Sequence, residues 1–151
     1  MTREAQPLFE SSPRKNVHYV IHDNYLRFWF RFVFKYNYML EIGAYNNLKQ
    51  IISRDYETYS GIVLEDYFKQ LLIESGQYTR IGKWHDRRGE NQIDIIAADD
   101  LTQRVEFIEV KRQQRNIDLS ILRAKADIFM KTTKKYLNHT VIYRGLSLED
   151  I

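Results

Sequence analysis

Two carboxylates and a lysine within residues 92–112 are the side chains of this chain best suited to chemistry. Asp94 lies in one short apolar run, and Glu109 and Lys111 end the next run, after an Asp-rich turn. Short apolar runs joined by such a turn predict a β-hairpin. Because side chains alternate along a strand, Glu109 and Lys111 should share one face while Val110 takes the other. Carboxylates that meet across this hairpin could bind Mg²⁺ or Mn²⁺, with the lysine at the reacting centre.

The hydrophobic periodicity of the rest of the chain predicts the elements that hold this hairpin. A helix ended by Gly76 precedes three strands, and a second helix leads to a final short strand. The closing strand–helix–strand return implies a parallel pair beside an antiparallel meander. The predicted fold is therefore α/β, a mixed sheet flanked by helices. Its elements are a helix over Tyr56–Ser75, strands over Gln77–Asp86, Ile93–Ala98 and Arg104–Val110, a helix from Asp118 or Ser120 to about Leu137, and a strand over Thr140–Tyr143.

The N-terminal third predicts an appendage to this core. A helix capped by Asp23 or Asn24 is apolar nearly all round, which is typical of a helix buried on more than one side. We favour a core element with a docking face for another domain. Stacking of its aromatic and arginine side chains on nucleic-acid bases is the alternative. The predicted division is a linker or tail of a preceding segment over 1–18, an aromatic helical segment over 19–55 with a stop at Gly43, and the core over 56–151.

The amino-acid composition limits the classes of protein to which this chain can belong. A chain of 151 residues that is 44% hydrophobic and 28% charged is typical of one soluble globular domain with a real core. It has no cysteine, which excludes disulfides, thiolate zinc sites and cysteine nucleophiles. With neither a membrane-spanning apolar run nor a secretory apolar region, the expected location is the cytoplasm, with no membrane partner.

Charge is unevenly distributed along the chain. The formal net charge is +3, yet residues 80–144 hold 14 Lys and Arg against 9 Asp and Glu. A basic surface in the half that carries the candidate site indicates a polyanionic partner such as nucleic acid, or simply a solvated basic face.

Two resemblances add to these patterns. The order α-β-β-β-α-β, with Asp94 opening the second strand and Glu109-x-Lys111 closing the third, resembles the PD-(D/E)XK nuclease-like superfold. There a glutamate of the first core helix often completes the metal site, and Glu65 stands at that position. The segments YVIHDNYLRFWFRFV, YSGIVLEDYF, GKWHDRRGENQIDIIAAD and FIEVK further resemble the DUF234 region, the C-terminal part of archaeal-type prokaryotic ATPases, over residues 19–143.

These resemblances imply a restriction-endonuclease-like core attached to an ATPase and winged-helix region, with ATP bound only on that upstream region. In a metal-dependent nuclease, Asp94, Glu109 and Glu65 would hold Mg²⁺ or Mn²⁺, and Lys111 would orient the attacking water or stabilise developing charge. The side chains expected to hold the nucleic-acid backbone are Arg87, Arg88, Arg112 and Arg115.

The chain departs from the resembled patterns at two positions. Ile93 stands where a proline often precedes the aspartate, a departure that is common in the superfold and costs little. Gln92 stands where an acidic residue is common, and if that carboxylate assists the metal, the site in this chain is weaker. Blander interpretations stay open: Asp94 could accept backbone hydrogen bonds, and Glu109 with Lys111 could form a surface pair. The alternative functions are a catalytically inactive regulatory or nucleic-acid-binding module of the ATPase, and a homodimerisation domain.

Overall fold

A four-stranded mixed sheet organises the chain in this computed structural model, which describes residues 2–4 and 18–151, with side chains from residue 21 onward. Its strand order is β3-β4-β5-β6, with antiparallel pairing up to β5 and parallel pairing between β5 and β6. The predicted α/β class and mixed sheet are therefore confirmed. The core elements are α3 (Tyr45–Glu74), β3 (Arg80–His85), β4 (Gln92–Asp99), β5 (Arg104–Val110), α4 (Leu119–Thr133) and β6 (Thr140–Leu146).

The two long helices cover opposite faces of the sheet. On the α3 side, Phe68 packs with Ile95 and Ile108, whereas on the α4 side Phe129 packs with Phe107. Alternating side chains of the central strands thus enter two separate apolar clusters. Because both faces are covered, β4 and β5 are buried along nearly their whole length, which explains their almost continuous apolar sequences.

The helix α3 corrects the sequence prediction. The sequence predicted a helix that begins at Tyr56, after a separate segment over 19–55 that includes a second, weaker helical piece through Leu48, Ile51 and Ile52, but α3 is one helix of 30 residues. The polar stretch around Arg54 contains neither glycine nor proline, and polar residues alone do not end a helix. The predicted domain boundary at residue 55 therefore falls inside α3. The predicted stops at Gly43 and Gly76 are confirmed, since both have positive φ (74° and 65°), a conformation that glycine adopts readily.

The aromatic segment before α3 is broken and largely exposed, contrary to the predicted buried helix. Asp23 caps its start by accepting the Leu26 N–H at 2.8 Å, as predicted. Phe32 is buried and packs against Tyr59 of α3 with ring centroids 5.5 Å apart. The aromatic side chains encircle the segment, but only one side of it meets α3. The segment consists of α1 (Asn24–Phe28), a π-helical turn (Trp29–Val33), a 3-10 turn (Phe34–Tyr36) and α2 (Asn37–Glu41).

Several smaller differences follow from local chemistry. Within the predicted linker, β1 (Thr2–Glu4) pairs antiparallel with β2 (His18–Val20), so the expectation of an irregular lead-in is wrong for residues 2–4. The remainder of that expectation lies outside the described residues.

The helix α4 ends at Thr133 rather than near Leu137, because the next residue, Lys134, has a positive φ. Within residues 2–4 and 18–151, no helix has the length and hydropathy needed to cross a membrane.

Candidate active site

A β-bulge places Asp94 where the pairing of β3 and β4 shifts by one residue and the ladder between β4 and β5 ends. The pairing between β3 and β4 leaves Lys83 opposite both Asp94 and Ile95, so β4 carries one extra residue there. The regular ladder between β4 and β5 ends at Ile95, and Oδ2 of Asp94 accepts the Val110 N–H at 2.9 Å. The aspartate side chain thus replaces a strand partner, and its second oxygen remains for other contacts.

Glu109 is buried with two lysines around its carboxylate. It is 6% exposed, so the alternative interpretation of Glu109 and Lys111 as a surface pair is wrong for the glutamate. The Nζ atom of Lys111 lies 2.8 Å from Oε1. The Nζ atom of Lys125, from α4, lies 3.5 Å from Oε2. That second contact is an ion pair without a hydrogen bond, so within the described residues Oε2 is buried without a hydrogen-bond partner.

Glu65 completes the arrangement from α3. Its Oε2 lies 2.6 Å from Nζ of Lys83, the β3 residue opposite the bulge. Among the predicted residues, Glu109 and Lys111 are in contact, and Asp94 and Glu65 lie near enough to act on each other and on Lys111 electrostatically, although the four come from three parts of the fold. We call the following set the acid–lysine cluster: Asp94, Glu65, Glu109, Lys83, Lys111 and Lys125.

The pKa of Asp94 is shifted by its burial and by these charged neighbours. This pKa is raised from 3.8 to about 6, first by burial and then by the negative charges of Glu65 and Glu109, against the opposing effects of the Val110 N–H and Lys111. Burial lowers the pKa of Lys111, but its hydrogen bond to Glu109 and the surrounding carboxylates raise it overall. Perturbed carboxyl groups with specific charged neighbours are typical of functional sites.

The oxygen donors of the cluster suit a hard divalent cation, but their present arrangement is closed. Carboxylate oxygens are the ligands that Mg²⁺ and Mn²⁺ prefer, and the buried Oε2 of Glu109 lacks a hydrogen bond. Across the described part of the chain, however, no three His, Asp or Glu side chains are grouped closely enough to hold one ion. Lysines hold Glu65 and Glu109, so a cation could enter only after these side chains move.

Lys83 and Lys125 were not predicted as site residues. The sequence offers a weak signal for Lys83, which is the polar residue between Gly82 and Trp84 in the predicted strand. Lys125 lies among the apolar positions of α4, and only the packing of that helix brings it to Glu109.

Gly145 of β6 was also missed, although it lies beside Glu109 in the parallel register. A Cβ atom at this position would lie 2.6 Å from Cγ2 of Ile117. Glycine therefore lets Ile117 pack closely over β6, which fixes the path of the connector that follows Lys111.

The four predicted backbone-binding arginines divide into two groups. Arg87 and Arg88 are exposed in the turn between β3 and β4, and Arg115 is exposed in the connector before α4. Arg112 instead packs on α3, with its guanidinium 5.8 Å from the ring centroid of Tyr56. Three of the four are therefore accessible to a polyanion, and Arg112 is partly engaged.

A second charged group lies nearer the start of β5. Glu106 is 6% exposed and has two arginines around it, with Arg104 Nε at 3.7 Å and Arg144 Nη1 at 3.9 Å. The hydroxyl of Tyr78 is hydrogen-bonded to Glu106. We call Glu106, Tyr78, Arg104 and Arg144 the Glu106–arginine cluster.

The fold and the cluster define an α/β protein whose mixed sheet carries a buried acid–lysine cluster between two helices. A family of archaeal and bacterial proteins described as being of unknown function, DUF234, matches residues 29–138, and the chain belongs to this family.

An uncharacterised protein of Methanocaldococcus jannaschii, MJECL04, is 32% identical over 133 residues, which is 83% of this chain. The chain spans only 29% of the length of that relative. No solved structure matches the chain.

Proposed function

We propose that this chain is a metal-dependent nuclease domain that hydrolyses phosphodiester bonds of nucleic acid. The observation that carries the proposal is the approach of Glu65 and Glu109 to Asp94, whose pKa is raised chiefly by burial and further by these two negative charges. Three carboxylates gathered beside a lysine on an αβββαβ sheet suit a cation and a phosphate better than they suit a packed core. Setting this domain in a longer protein with an ATP-binding and winged-helix region is part of the same proposal.

Each residue has a distinct role in this proposal. Asp94 and Glu109 would hold Mg²⁺ or Mn²⁺, with Glu65 as a further ligand or as a hydrogen-bond partner of a bound water. The cation, when bound, supplies a more acidic water and relieves charge on the phosphoryl oxygens. Lys111, which follows β5 and is held by Glu109, orients the attacking water or donates to the developing negative charge. The bulge at Asp94 keeps the first carboxylate beside the end of β5, where Glu109 and Lys111 lie.

Titration calorimetry with Mn²⁺ tests the site directly. Asp94→Asn keeps an acceptor for the Val110 N–H but removes the charge, so it should abolish Mn²⁺ binding while the fold is retained. Asp99→Asn is the matched control, because Asp99 is a second buried aspartate of β4 that binds Leu101 N and Thr102 instead. It should bind Mn²⁺ as the unmodified chain does.

Catalysis needs a separate measurement. The unmodified chain, Asp94→Asn and Lys111→Met are each incubated with single- and double-stranded DNA and RNA, in Mn²⁺ and in EDTA. Cleavage is expected only with the unmodified chain in Mn²⁺. Binding of Mn²⁺ without cleavage of any substrate would overturn the nuclease proposal, and absence of binding would make the acid–lysine cluster a structural feature.

A further inference from the structure

We propose that Lys83 and Lys125 are built-in counter-cations that hold the site closed without metal and contact the substrate phosphates once a divalent cation binds. This inference deepens the proposed function and rests on it. Neither lysine belongs to the Asp94, Glu109, Lys111 pattern from which the site was predicted. Both are held by carboxylates assigned to the cation.

The charge balance of the acid–lysine cluster is the first step. Its three carboxylates face three ammonium groups, so the cluster is formally neutral with no metal. Lys83 is bound to Glu65 alone among the three acids, and Lys125 to Glu109 at the oxygen that lacks a hydrogen bond. Neutrality explains how such a cluster is tolerated in a mostly buried place.

The second step is competition between a divalent cation and the two lysines for the same carboxylates. The cation needs oxygens of Glu65 and Glu109, and these carboxylates now form ion pairs with Lys83 and Lys125. The described side chains also form no ready-made group of three ligands. A lysine ammonium is a compact charge on a flexible four-carbon chain, so it can leave its partner without disturbing the backbone. Lys83 keeps 36% of its side chain exposed and Lys125 keeps 19%, which gives both a route toward solvent.

The release of the lysines is the third step. A bound divalent cation would leave the neutral cluster with a net charge of +2, and the displaced ammonium groups would then need new anionic partners. Phosphodiester groups supply such partners in nucleic acid, where each lysine contact is a point-charge interaction. Binding of the cation and of the nucleic acid should therefore strengthen each other reciprocally.

The test uses Lys83→Met and Lys125→Met, which keep the aliphatic stem and remove the charge. Each should raise the Mn²⁺ affinity measured by calorimetry by about 2- to 5-fold, the value expected for loss of a partly exposed competing ion pair. Each should also weaken binding of a labelled DNA duplex in the presence of Mn²⁺, measured by fluorescence anisotropy with every protein carrying Lys111→Met, which is expected not to cleave. The salt dependence of that binding should fall by about one unit of slope per lysine.

Two matched variants make the test specific. Lys131→Met removes another lysine of α4 and should change neither the Mn²⁺ affinity nor its coupling to DNA. Lys125→Arg keeps the charge beside Glu109 and should hold the Mn²⁺ affinity near that of the unmodified chain. Thermal melts confirm that each variant is folded, and a gel confirms that the duplex is intact after each titration.

The outcomes separate this inference from the proposed function. If the lysine variants bind Mn²⁺ no more tightly than the unmodified chain, which still binds and cleaves, the counter-cation role is wrong and the nuclease proposal stands. If the variants bind Mn²⁺ more tightly and DNA more weakly but no protein cleaves any substrate, the lysines act as inferred and only the nuclease proposal fails. If none of the proteins binds Mn²⁺, both are overturned.

Discussion

Strand β5 carries two buried glutamates whose surroundings differ in kind. Glu106 and Glu109 are both 6% exposed, and since they are three residues apart their side chains lie on opposite faces of the sheet. Arginines and a tyrosine hydroxyl surround Glu106, whereas lysines and other carboxylates surround Glu109. Burial alone therefore does not separate a structural carboxylate from a candidate ligand; the identity of the neighbours does.

The chemistry of the two cations explains the difference. Arginine is permanently charged, so the Glu106–arginine cluster keeps both of its positive charges. Neither arginine lies within hydrogen-bond distance of Glu106, and within the described residues Nε of Arg104 is buried without a hydrogen-bond partner. Burial raises the pKa of Tyr78, and its hydrogen bond to Glu106 raises it further, which keeps the hydroxyl protonated as a donor. The acid–lysine cluster instead gathers repelling carboxylates behind replaceable ammonium groups. In the acid–lysine cluster the ionised form of Asp94 is unfavourable, as its raised pKa shows, although the cluster as a whole is formally neutral.

The largest expected effect tests whether the ionised form of Asp94 destabilises the folded protein. Asp94→Asn should raise the free energy of unfolding at neutral pH by up to about 3 kcal/mol, since each unit of pKa shift corresponds to about 1.4 kcal/mol. The folded-state pKa is raised, so the ionised carboxylate costs stability as pH rises from 3.8 to about 6, and the cost is constant above that. Urea denaturation of both proteins across this range gives the difference directly.

The pH dependence of the unfolding free energy supplies an internal control for this prediction. Below the ordinary pKa of 3.8 the carboxyl group is protonated in folded and unfolded chains, so the advantage of Asp94→Asn should vanish. Asp94→Ala leaves the Val110 N–H without its acceptor and should lose part of the gain. If Asp94→Asn is destabilising by the same amount at every pH, the carboxylate is already satisfied and the contrast between the two clusters disappears.

The sequence predicted the centre of the fold better than its N-terminal third. The strand β5 and nearly all of β4 were predicted because their apolar runs end at strong turn signals. The parallel return to β6 was predicted because a helix with a clear cap, Asp118, precedes it. The aromatic segment was predicted less well, because an apolar helix predicts burial without saying what is available to cover it.

The candidate site was predicted in part for a similar reason. Asp94, Glu109 and Lys111 lie close in sequence on one hairpin, so strand alternation alone places two of them together. Lys83 and Lys125 come from β3 and α4, and their approach depends on a one-residue bulge and on the packing of a helix. Neither feature has a signature in a single sequence, so the sequence predicts neither lysine as a site residue.

A second prediction compares the two glutamates directly. Glu106→Gln leaves Arg104 and Arg144 without a carboxylate and should lower the free energy of unfolding by about 1–2 kcal/mol, because both arginines are partly exposed and screened. It should leave the Mn²⁺ affinity unchanged. Glu109→Gln should instead lower the Mn²⁺ affinity by more than it lowers stability. Calorimetry gives the Mn²⁺ affinity of the two variants, and urea denaturation gives their free energy of unfolding. If both quantities fell by similar amounts in both variants, the distinction between the two glutamates would be wrong.

The smallest expected effect concerns Tyr78. Tyr78→Phe removes the hydrogen bond to Glu106 while keeping the ring beneath the guanidinium of Arg104, whose central carbon lies 5.5 Å from the ring centroid. Since Tyr78 is half-buried and the arginines still neutralise the carboxylate, the loss should be about 0.5 kcal/mol in urea denaturation. Tyr67→Phe, an exposed tyrosine of α3, is the reference for an effect near zero. A loss well above 1 kcal/mol would mean that the Tyr78 hydroxyl stabilises Glu106 as much as the arginines do. The two arginines alone would then not be enough to stabilise the buried carboxylate.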